Sequence, residues 1–132
     1  MGFPGNNKLM TETKPKYKAS KYRNVKTTVD GITYDSAKEA RRHQELLLME
    51  RAGLIHGLER QKPFVLVKSV VLDGRKKPAI RYFADFYYRI CVNGEYSLFV
   101  EDTKSPITRK DPLYRAKKHM MKAFHDIEIT EV

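Results

Sequence analysis

The sequence predicts an α/β fold with a mixed sheet, ordered helix, three strands, helix, strand. Three observations carry that reading. Residues 79–92 (AIRYFADFYYRICV) and 95–104 (EYSLFVEDTK) are rich in aromatic and β-branched residues, and Asn93-Gly94 between them is a hairpin turn. Ahead of them, AKEARRHQELLLMERA repeats apolar residues at helical spacing and stops at Gly53. Behind them, Asp111-Pro112 supplies an N-cap with proline at the first helical position, opening a second helix.

Residues 1–26 hold seven Lys or Arg against one Glu and show no sustained periodicity, so they read as a basic arm ahead of a single domain over 27–132. Tyr17 and Tyr22 lie among Lys14, Lys16, Lys18, Lys21 and Arg23. Such an arm either stays solvated or follows a phosphate backbone with its tyrosines stacked on bases. Asp30-Gly31 then turns a small hairpin that leads into the first helix at Asp35 or Ser36. On that helix Ala40, His43, Leu46 and Leu47 form the inward stripe, with Glu39 one turn before His43. Gly53 ends it, with Leu54 expected to pack back. A strand follows at Pro63–Val67, and 72–78 is a turn with an exposed basic tip. After the central hairpin, Ser105–Lys110 is a basic loop. The second helix is expected to bury Leu113, Ala116, Met120 and Phe124, and residues 127–132 form a closing strand.

The chain has 132 residues, enough for one core, and carries 26 Lys and Arg against 16 Asp and Glu, a net charge of +10. A polyanion is the partner this favours, and DNA is the expected one. No segment reaches the length of a membrane span or a signal peptide, so no membrane partner and a cytoplasmic setting are expected. Cys91 is the one cysteine. It excludes an intrachain disulfide and a thiolate zinc cluster. The four histidines show no zinc spacing, and the sequence has no glycine-rich phosphate loop or nucleophile elbow.

The residues that point to chemistry lie on the central hairpin. Asp85 is on one arm, and Asp102 and Lys104 are on the other, where the pleat puts Leu98, Val100, Asp102 and Lys104 on one side and Phe99, Glu101 and Thr103 on the opposite side. Two carboxylates that can hold a divalent ion, with an ammonium beside them, suit phosphodiester hydrolysis. A β-bulge near Glu101 would exchange the places of Glu101 and Asp102. Glu39 has two readings: the acid of a capping box begun by Ser36, or a third carboxylate aimed at the ion.

The elements FADF and VEDTK and the helix DSAKEARRHQELL resemble the PD-(D/E)xK nuclease superfamily, and within it a family of small phage-encoded endonucleases, from about Lys21 to Val132. The resemblance implies a restriction-endonuclease-like αβββαβ core. Asp85 matches the superfamily's strand acid, although Ala84 stands where a proline is common. Asp102 and Lys104 match its acid-x-Lys element, and Glu39 matches the helical acid. It further implies that Asp85, Asp102, Glu39 and the carbonyl of Thr103 hold Mg²⁺ or Mn²⁺, and that the products carry 5′-phosphate and 3′-hydroxyl ends. The DNA would be branched or otherwise structured, as in phage recombination and replication, and a homodimer would supply two cuts.

Around this set, Gln61, His43 and Glu101 are candidates for supporting contacts, and Arg42, Arg109 and Lys110 join the arm as candidate DNA-binding residues. The alternative is a basic nucleic-acid-binding module with no catalysis, whose acids are merely structural.

Overall fold

The structure, a computed structural model, describes residues 25–132. Its elements are β1 (Thr27–Val29), β2 (Ile32–Tyr34), α1 (Ala37–Arg51), β3 (His56–Val67), β4 (Val70–Leu72), β5 (Arg75–Lys77), β6 (Ile80–Val92), β7 (Glu95–Asp102), the short α2 (Pro106–Arg109), α3 (Pro112–His125) and β8 (Ile129–Glu131). The fold is mixed α and β, as expected. Residues Lys38–Val132 form one compact unit that holds the main sheet, and the hairpin β1–β2 belongs to the other unit.

Local chemistry explains most of the boundaries. All three hairpin turns are Asp-Gly or Asn-Gly pairs with both residues left-handed: Asp30-Gly31, Asp73-Gly74 and Asn93-Gly94. Helix α1 ends where the Leu54 amide reaches the Met49 carbonyl at 2.9 Å and Gly53 takes φ 79°. Leu54 itself stays 60% exposed, so the closure is made by backbone rather than by apolar contact. Asp111 caps α3 by accepting the Tyr114 amide at 3.0 Å. The basic loop after β7 is tightened into α2, whose cap Ser105 accepts the Thr108 amide.

The main sheet runs β3-β6-β7-β8, antiparallel except for the last pair, in which β8 lies parallel to β7. Neighbouring residues of β7 face opposite ways. Val100 packs with Tyr114 and Met121 of α3 and with Ile129, whereas Phe99 adjoins the cluster of Leu46, Ile55, Phe86 and Tyr88 on the α1 side. On β6, Tyr82 and Ala84 belong to the α3 cluster, but Phe86 and Tyr88 belong to the α1 cluster. Residues of one parity therefore change cluster at Asp85. Opposite that point on β3, Gln61 has φ 52° inside a strand, a conformation that bends the ribbon.

Helix α3 is rotated from its expected setting. Tyr114 and Met121, seven residues apart, are its buried side chains, while Leu113 and Phe124 are each about 60% exposed. Two stripes of this helix were apolar enough to serve, and the tyrosine stripe packs because its hydroxyl finds a carboxylate partner, described below.

Phe86 is fully buried and stacks on His43 with ring centroids 5.6 Å apart. Phe86→Ala is expected to lower the urea-unfolding free energy by about 3–5 kcal/mol. Leu113→Ala, on the exposed side of α3, should change it by less than about 0.5 kcal/mol.

Candidate active site

Strands β6 and β7 register Phe86 against Glu101, which places Asp85, inside β6, beside Asp102, the last residue of β7. Asp85 lies close enough to Asp102 to raise the pKa of its carboxyl. Asp85 is fixed by β7's exit: Thr103 donates to its Oδ2 from both the amide, at 2.8 Å, and the hydroxyl, at 2.7 Å. The left-handed Gln61 donates its side-chain amide to Asp85 Oδ1 at 3.2 Å. Asp102 is 1% exposed, and Tyr82 donates its hydroxyl to Asp102 Oδ2 at 2.6 Å. Lys104 Nζ stands 3.5 Å from the same oxygen and 4.6 Å above the Tyr114 ring.

Burial, the adjoining Asp85 and its charge push the Asp102 carboxyl up to about 8 despite Lys104 and Tyr82. Tyr82 is pushed well above the usual phenol range, first by burial and then by Asp102. A carboxyl pair of this kind holds a proton at neutral pH unless a cation replaces it.

The ammonium has its own support. Tyr114 donates to Glu131 Oε2 at 2.6 Å, and Lys118 approaches the same oxygen at 2.9 Å while Arg109 lies 3.6 Å from Oε1. Glu131 pairs with Asp102 across β7 and β8. Tyr82, Tyr114 and Glu131 thus belong to the site's surroundings, and nothing in their sequence context distinguishes them from ordinary strand and helix residues.

The opposite side of the sheet absorbs the remaining acids. Glu101 is buried and receives a two-pronged Arg42 guanidinium at 2.8 and 2.7 Å, along with the Tyr88 hydroxyl. Glu101 and Asp102 therefore face different ways, as the pleat predicts, and Asp102 is the one beside Asp85. Arg42, expected to bind DNA, is instead committed to Glu101 and to Glu45 at 2.9 Å, because a buried carboxylate without that partner would be costly. Glu39 is also buried and meets Arg60 Nη2 at 3.4 Å on the α1 side. Among the described residues no three His, Cys, Asp or Glu side chains gather to hold a metal, so Glu39 does not form a cluster with the two aspartates. The expectation that it would do so overlooked Arg60, which faces α1 and competes for it. His43 is buried against Phe86, and burial lowers its pKa, in keeping with a core role.

Among the candidate DNA contacts, Arg109 is paired with Glu131 and Lys110 is exposed. Lys14, Lys16, Lys18, Lys21 and Arg23 lie outside the described residues. No helix among the described residues is long and apolar enough to cross a membrane.

In comparisons with known proteins, residues 19–132 match a family described as "Protein of unknown function (DUF1064)". No curated protein and no solved structure matches.

The raised Asp102 pKa has a direct effect on stability in the metal-free protein. The folded state holds this proton more tightly than the unfolded chain, so the stabilisation is complete below a pH of about 4 and is lost as pH rises toward 8. In EDTA, wild type should lose roughly a few kcal/mol across that window relative to Asp102→Asn, which has no proton to lose. Urea unfolding at several pH values measures the difference. Parallel curves for the two proteins would show that Asp102 is not perturbed.

Proposed function

We propose that this chain, which belongs to the DUF1064 family, is a Mg²⁺- or Mn²⁺-dependent DNA endonuclease. One observation carries the reading: Asp85, inside β6, adjoins Asp102 at the end of β7, with the Lys104 ammonium 3.5 Å from Asp102. These three residues are among those that carry the resemblance to PD-(D/E)xK nucleases, together with the helix that bears Glu39.

The donor set fits a hard cation. Mg²⁺ characteristically binds one or two carboxylates and fills its other positions with water and substrate phosphate, so a third acid is not required. Asp85 and Asp102 would hold it. When bound, such an ion supplies a Lewis acid at the phosphate and at the attacking water. The chain's residues do the rest. Thr103 and Gln61 orient Asp85, and the Tyr82 hydroxyl fixes Asp102 while excluding water from its buried side. Lys104, held over Tyr114, meets a non-bridging phosphate oxygen and neutralises the charge that grows there. Water oxygen bonds to phosphorus, the bond to the 3′ oxygen breaks, and that oxygen leaves with a proton.

The net charge of +10 supports a DNA substrate. The choice of branched DNA, cut by two copies of the chain in the host cytoplasm, extends this reading by resemblance alone.

Linear, flapped and four-way-junction DNA, each incubated with EDTA, Mg²⁺ or Mn²⁺, test the proposal. Cleavage should require the ion. Asp102→Ala and Asp85→Ala should each lower it by at least about 10²-fold, and Lys104→Ala by a similar factor, with DNA affinity in EDTA little changed. Wild-type turnover by Asp102→Ala would leave a basic DNA-binding protein without this active site.

A further inference from the structure

Helix α3 presents solvent with cations and apolar surface side by side. A cavity of about 470 Å³ is lined by Arg109, Arg115, Lys118, His119 and Lys122, with Glu128 and Glu131 as its acids. An adjoining, shallower depression of about 670 Å³ is lined by Pro112, Ala116 and Met120 together with Arg115 and His119. Arg115 and His119 line both, so the two hollows adjoin, one cationic and the other apolar, and together are called the trough below. Within it Glu131 is taken by Lys118 and Arg109, and Glu128 lies 3.6 Å from Lys122. Arg115 is exposed and makes no ion pair among the described residues.

We infer that this trough binds single-stranded DNA, with a backbone phosphate at Arg115 and an unstacked base on the apolar floor. The cations alone would suit any polyanion. The floor makes the distinction: in a duplex the bases face inward, so only a single strand can bring a base face to Ala116 and Met120. Position agrees with the chemistry. Lys104 lies over Tyr114, Tyr114 donates to Glu131, and Glu131 lines the trough. The proposed cleavage site and the trough are thus joined by contacts through the buried Tyr114. The inference rests on the nuclease reading for its biological substrate, but the binding itself requires no cutting.

The test is fluorescence anisotropy with the full chain in EDTA, using a labelled oligo-dT and a labelled duplex hairpin. Variants are Arg115→Gln and Ala116→Asp, both at exposed positions, with thermal melts to verify folding and Lys68→Gln as a remote charge control. Arg115→Gln should reduce the slope of log affinity against log salt by about 0.7 on the single strand. Ala116→Asp should weaken single-strand binding by about tenfold. Duplex affinity should fall by a smaller factor than single-strand affinity in both, and Lys68→Gln should leave single-strand binding unchanged within about twofold. Unchanged single-strand affinity, equal losses on both DNAs, or an equal loss from Lys68→Gln would overturn the inference. If wild type never cuts DNA with Mg²⁺ yet the single-strand losses appear, the nuclease reading fails and the trough stands.

Discussion

Two neighbouring carboxyl groups, Asp102 buried and Asp85 partly exposed, are the constraint around which the rest of the structure is arranged. Left alone, the pair is unfavourable, and Asp102 responds by keeping a proton to a pH of about 8. The fold tolerates it through surrounding donors: two from Thr103, one from Gln61 and one from Tyr82, with Lys104 alongside. Each donor comes from a different part of the sheet or its exit, so the pair exists only when β3, β6 and β7 are in register.

The far side of the sheet solves the same electrostatic problem differently. Glu101, one residue away from Asp102, is equally buried, but Arg42 and Tyr88 satisfy it completely. Glu39 is drawn toward Arg60 in the same manner. One face of the sheet therefore has its buried carboxylates met by guanidinium groups, and the other has two carboxyl groups facing one ammonium. That asymmetry separates the acids met by guanidinium groups from the two on which the proposed cation site rests.

The central hairpin was legible because its signals are local. Asn93-Gly94 sets the turn, and the pleat assigns Glu101 and Asp102 to opposite sides without knowledge of any distant residue. The caps at Gly53 and Asp111 are equally local. What escaped depends on partners far along the chain. Nothing near Arg42 says that Glu101, 59 residues later, will claim it. Glu39 looked available for the same reason. Helix α3 has two apolar stripes, and the choice between them turned on Glu131 meeting the Tyr114 hydroxyl. The left-handed Gln61 had no signal, since glutamine rarely adopts that conformation and a strand pattern conceals it.

The bend at Gln61 has a second effect. Among the described residues, strand β3 is an outer strand of the sheet, twelve residues long, with Val65 and Val67 partly uncovered. A flat border of that length invites a neighbouring molecule to add a strand and start aggregation. The bend twists the ribbon away from such pairing, Pro63 removes one amide from the row, and Lys62 adds charge beside it. The residue that orients Asp85 thus also helps keep a concentrated solution of this protein from polymerising through its sheet.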